Sequence, residues 1–143
     1  MYFDDVLLHT KISIPPVVIE KQKMLDFARL YDNIPLHTDE AYAKTTAFGE
    51  LIAPGVMSFM SVWAQYLQVD ILGEELLAGL STKIEWHKPV FAEDTLFAEA
   101  EVTNLVERSD KNGIVELTFR VKNQHGVSVL TDVTQVIVKR RRQ

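Results

Sequence analysis

The chain has 143 residues, of which 47% are hydrophobic; it carries a formal net charge of −5 and no cysteine. That length and apolar content predict one domain over residues 1–143 with a sizeable core. The absence of cysteine excludes disulfides, thiolate metal sites and cysteine nucleophiles, and the negative balance argues against a general nucleic-acid binder.

Met1 runs into Tyr2-Phe3-Asp4-Asp5 without a basic region and long apolar run, so no signal peptide is read. The cytoplasm is the expected compartment, in keeping with a cysteine-free chain. No apolar run reaches the roughly 20 residues of a membrane span. Residues 10–19 are β-branched, but Pro15-Pro16 restricts them to an edge strand or extended arm. From Lys21 to Tyr31, Met24, Phe27, Ala28 and Tyr31 recur at helical spacing. That helix should end before Pro35. A short helical turn follows from Asp39, with acidic residues at its start.

Pro54-Gly55 opens a second helix to about Val69, since proline suits a first turn. Its apolar residues, from Val56 to Leu67, lie on nearly every face, which predicts a position inside the protein. After Gly79 the period changes to two. Strands are expected at residues 80–86, 95–102, 114–121 and 127–138, with Asn112-Gly113 and His125-Gly126 as turn signals. The sum is an α+β fold, an antiparallel sheet covering one long apolar helix.

Asp32 and His37 sit five apart with Pro35 between them. Histidine titrates near neutral pH and a carboxyl can be brought there, so the two suit proton handling. Spacing alone leaves a second reading open, in which Asp32 forms a turn and His37 is exposed. Gly55 likewise has two readings. It brings a ligand close to the free N–H groups of a helix start, as an oxyanion site requires, or it allows tight packing at the helix entry. His87 is read as a surface or interface residue, while His9 and His125 lie in an arm and a turn. No pair of histidines has metal-ligand spacing with a third ligand nearby, so no metal is expected. Ser58 and Ser61 lie on the apolar helix, but no G-x-S-x-G elbow surrounds them, which speaks against a serine hydrolase. Lys139 and Arg140 to Arg142 form a basic tail, either a solvated end or a phosphate contact.

The stretch Asp32-Asn33-Ile34-Pro35-Leu36-His37-Thr38-Asp39 resembles the Asp-x-Asn-Pro-[Leu/Ile]-His-x-Asp motif of the MaoC-like dehydratases, the (R)-specific enoyl-CoA hydratases of the hotdog fold. Phe48-Gly49, Ile52-Ala53-Pro54-Gly55 and the Pro89-Val90 to Asp94 segment are similar to later family features. The resemblance spans residues 20–138 and implies a hotdog sheet wrapped around a central helix. It implies that Asp32 and His37 hold the water that adds to an enoyl thioester, and that the Gly55 N–H holds the thioester oxygen. It implies an acyl-CoA or acyl-carrier thioester as substrate, coenzyme A present only as part of it, and a homodimer or larger assembly. Ile34 replaces the motif asparagine, Tyr31 a glycine, Pro54 a histidine and Glu93 a glycine. Trp63 stands where some members have serine, with Ser61 nearby, and is expected to reshape the acyl pocket. A thioesterase on the same fold would carry a carboxylate on the central helix; none lies between Val56 and Gln68. A non-catalytic acyl-binding protein is the third possibility, suggested by Ile34 and Trp63.

Overall fold

The computed structural model describes residues 1–141. Strand β1 (Lys11–Val18) is followed by α1 (Lys21–Tyr31), two short helices α2 (Pro35–Thr38) and α3 (Glu40–Thr45), and the long helix α4 (Gly55–Val69). Four strands then run antiparallel: β2 (Leu76–Trp86), β3 (Thr95–Glu107), β4 (Asn112–Lys122) and β5 (Ser128–Lys139). They form one sheet with β1, in the order β1-β3-β4-β5-β2. The architecture is α+β, as the patterning predicts.

Alternation along the strands explains the core. Val115, Leu117, Phe119 and Val121 of β4 and Leu130, Val136 and Val138 of β5 are buried on the face that receives α4. Period-two placement puts them on one side of the sheet. From α4, Met57, Phe59, Val62 and Tyr66 are buried against that face. Phe119 meets Phe59 and Tyr66 edge-on, with ring centroids 5.6 and 5.5 Å apart. Such T-shaped pairs match the positive ring edge to the negative face.

The arm is an edge strand as expected, and its register against β3 shifts between Ile14 and Val17, where the two prolines cannot donate to the ladder. Three boundaries differ from the sequence reading, the first being β3, expected over residues 95–102, which runs on to Glu107. Strand β2 begins at Leu76, with Gly79 inside it beside a register shift rather than before it. Asn112-Gly113 starts β4 and is not the turn. The reversal lies one step earlier, where Ser109 Oγ accepts from the Lys111 and Asn112 N–H groups. Gly113 serves close packing instead: a methyl placed on it would fall 2.5 Å from the Phe3 ring. His125-Gly126 does form a turn, with Gly126 at φ 73° and its N–H on the Asn123 carbonyl.

Helix α4 lies nearest β1 and meets β2 only at its end, where Trp86 packs against Gly55. Strand β2 therefore closes the sheet with both faces largely open, and Leu77 and Leu80 are exposed on it. Helix α4 is not buried on every side either: Val56, Met60 and Leu67 form an exposed apolar stripe. The basic tail is engaged in ion pairs. Arg140 binds Asp4 at 2.9 Å and Arg141 binds Asp5, so these two arginines tie the end of β5 to the N-terminal turn. Arg142 lies outside the described residues.

Candidate active site

Asp32 caps the C-terminal end of α1, where its N–H still bonds the Ala28 carbonyl at 2.8 Å. Pro35 then starts the single turn of α2, its fixed φ already suited to that position. The turn is braced by its main chain: the Ile34 N–H donates to the Asp32 carbonyl at 2.9 Å, and the His37 N–H to the Ile34 carbonyl at 3.0 Å. Ile34 projects to solvent and contributes no side-chain hydrogen bond. His37 is pulled inward to 6% exposure, while Asp32 stays half-exposed.

The two side chains meet, with His37 Nε2 3.2 Å from Asp32 Oδ2. On the other edge of the ring, His37 Nδ1 lies 2.7 Å from the Ile52 carbonyl oxygen. A carbonyl can only accept, so Nδ1 carries the hydrogen and donates it. In the neutral ring Nε2 then presents a lone pair to the carboxylate. Two acceptors at that distance require a proton or a bridging donor between them. The Ile52 strap that sets this tautomer is itself fixed, by a bridge from Ile52 to Phe91 and by the Ala53 N–H on the Val90 carbonyl at 2.7 Å.

Beside the pair lies the start of α4. Pro54 is its N-cap and supplies no side-chain cap, so the first-turn N–H groups are free to meet a ligand. Asp32, His37, Gly55 and Ser58 line one open cavity of about 470 Å³, together with Trp86 and Lys88. Trp86 lies against Gly55: a methyl there would sit 2.3 Å from the indole Cε2 and Nε1. The packing reading of Gly55 therefore applies, and the same residue also faces the cavity.

Three of the four sequence candidates are thus brought together. Trp63 is not among them. Its ring stacks into the core, 5.1 Å from Tyr66 and 5.8 Å from Phe119 between centroids, and it does not line the cavity. The reason is distance along the helix. Eight residues beyond Gly55, Trp63 lies about 12 Å down the axis. Phe48 and Trp86 are the aromatic rings on the cavity wall, and sequence reasoning missed Trp86 because its contact with Gly55 spans two separate elements. His87 is exposed, as expected, but also stands on the cavity wall, with Nε2 3.0 Å from Thr131 Oγ1. Ser61 turns back onto its own helix, donating to the Met57 carbonyl at 2.8 Å. His9 pairs with Glu101 on the surface at 3.0 Å.

A family profile described as "MaoC like domain" matches residues 7–125. The chain belongs to the MaoC-like domain family. Among MaoC-like relatives, the (R)-specific enoyl-CoA hydratase of Aeromonas caviae is 37% identical over 106 residues, 73% of this chain and 75% of that protein. A Bacillus subtilis (strain 168) protein, "Uncharacterized protein YdeM", is 24% identical over 98% of this chain and 100% of its own length. The solved structure titled "Monoamine oxidase regulatory protein" from Archaeoglobus fulgius superposes with TM-score 0.93 at 31% identity, covering 99% of this chain and 96% of that one. The MaoC-like fold is the hotdog, and this sheet and central helix follow it.

Proposed function

We propose that the protein hydrates trans-2-enoyl thioesters to 3-hydroxyacyl thioesters and catalyses the reverse dehydration. The observation that carries this reading is the Asp32–His37 pair, 3.2 Å apart, sharing one cavity with the uncapped start of α4. A water that donates one O–H to His37 Nε2 and the other to Asp32 satisfies both acceptors. One of its two lone pairs is then free to point into the cavity, toward C3 of a bound enoyl chain. The water oxygen bonds to C3 as the C2=C3 π bond opens, the pair takes up one water proton, and the pair returns that proton to C2, so that H and OH are added across the double bond. Charge that develops on the thioester oxygen meets the Gly55 N–H at the positive end of the α4 dipole. No electron transfer is involved, and no cofactor beyond the carrier of the acyl group is required.

The printed activity of the Aeromonas caviae relative, an enoyl-CoA hydratase, supports the same reaction class. The lack of any Asp or Glu from Val56 to Gln68 disfavours a thioesterase, which would need a carboxylate on the central helix. We also propose a homodimer. Strand β2 ends the sheet with an unpaired edge, Leu77 and Leu80 are exposed on it, and α4 exposes Val56, Met60 and Leu67. Such edges are normally covered.

The test is incubation with crotonyl-CoA, following enoyl absorbance and free thiol together. Loss of absorbance without thiol release is expected. Thiol release would indicate hydrolysis, and saturable binding without either change would indicate an acyl-binding protein.

A further inference from the structure

Helix α4 carries two serines in its first two turns, and they behave differently. Ser61 makes the ordinary back-bond of a helical serine, to the Met57 carbonyl four residues earlier. Ser58 does not. It is 1% exposed, and its hydroxyl has no hydrogen-bond partner within the protein. A buried hydroxyl without a partner is destabilising, so simple packing would favour alanine there. Ser58 also lines the cavity that holds Asp32 and His37. It lies three residues after Gly55, on the same helix face, and a helical Cα–Cβ bond tilts toward the N-terminus. That tilt sets the Ser58 Cβ over the turn that carries the free amides, on the wall of the same cavity.

We propose that the Ser58 hydroxyl is a second donor to the substrate's thioester carbonyl oxygen, alongside the Gly55 N–H. The inference rests on the hydratase reading and adds a residue to it. The lone hydroxyl finds its acceptor only when the acyl group is bound. As negative charge gathers on the carbonyl oxygen during addition to C3, the bond strengthens. Its contribution thus falls on turnover more than on binding.

The experiment compares wild type with Ser58→Ala in three measurements. The first is crotonyl-CoA hydration, the second the infrared carbonyl stretch of bound butyryl-CoA, a saturated thioester that needs no turnover, and the third thermal unfolding. Loss of one oxyanion donor lowers kcat by roughly 10²-fold. The expected result is a fall approaching that size with KM little changed, and a carbonyl stretch moved back toward its solution value. Melting should be unchanged or higher, because an unpaired hydroxyl has been removed. A merely structural serine would move only the melting temperature. If Ser58→Ala keeps kcat and the carbonyl stretch while wild type hydrates, the Ser58 assignment is overturned and the hydratase reading stands. If wild type neither hydrates nor shifts the carbonyl, both fall.

Discussion

Gly55 had two readings in the sequence, close packing and close approach of a ligand, and the structure provides a way to separate them. Gly55→Ala places a methyl 2.3 Å from two atoms of the Trp86 ring, about 1.5 Å inside ordinary contact distance. Overpacking of this kind costs about 1–3 kcal/mol. Trp86 is 53% exposed, so its ring can swing outward and the lower half of that range applies. Exchanging glycine for alanine in a helix returns up to about 1 kcal/mol. The net expectation is a loss of about 0–2 kcal/mol in the native background. In a Trp86→Ala background the ring is gone, so the same exchange should be neutral or stabilising. Urea unfolding of the four proteins measures the coupling directly, with an expected interaction of about 1–2 kcal/mol. On the proposed reading, hydration should fall in both Gly55→Ala variants, because the added methyl crowds the approach of a thioester oxygen to the Gly55 N–H. Equal stability costs in the two backgrounds would refute the Trp86 contact. Full activity in the double variant would refute the close-approach role.

Trp63→Ala should destabilise the protein by about 2–4 kcal/mol, a little under a fully buried tryptophan, and leave acyl-chain preference unchanged; a competition assay over enoyl-CoA chain lengths checks it, and a shifted preference would return Trp63 to the pocket wall. Asp132 is buried on β5, and its carboxylate accepts from Thr82 and Thr134 while those hydroxyls also lie 2.9 Å from each other. Three contacts among these groups exceed the two hydroxyl hydrogens, and burial pushes the Asp132 carboxyl above its ordinary value. A folded-state pKa raised above the unfolded one means that stability is full at low pH and is lost as pH rises through the folded value. Asp132→Asn should therefore gain on wild type as pH increases from about 4; a gap independent of pH in unfolding curves would contradict this. Leu80→Glu on the open edge of β2 should yield monomer in sedimentation at micromolar concentration, and an unchanged dimer would place the interface elsewhere.

Helix α4 was legible because a dense apolar run after Pro-Gly has few other outcomes. Asp32 and His37 were legible because the turn that joins them is local, held by Pro35 and by main-chain bonds within six residues. The Ile52 carbonyl that sets the histidine tautomer was not legible, since it reaches His37 from a separate strap. Trp86 was hidden for the same reason. Asn112-Gly113 was misread because Asn-Gly signals a turn, whereas this glycine yields space to Phe3 from the far end of the chain. Trp63 was placed on the pocket wall by resemblance, but the cavity ends one turn into α4 and the tryptophan lies beyond it.

The central claim is that Asp32 and His37 hold one water as a single unit. It is tested most directly by hydration of crotonyl-CoA with Asp32→Ala, His37→Ala and the double variant, with melting curves for each. Each single variant should lose roughly two to four orders of magnitude in kcat. The double variant should lose scarcely more, because the remaining partner cannot position the water alone. Losses that multiply in the double variant, or single variants that retain full activity, would contradict the account.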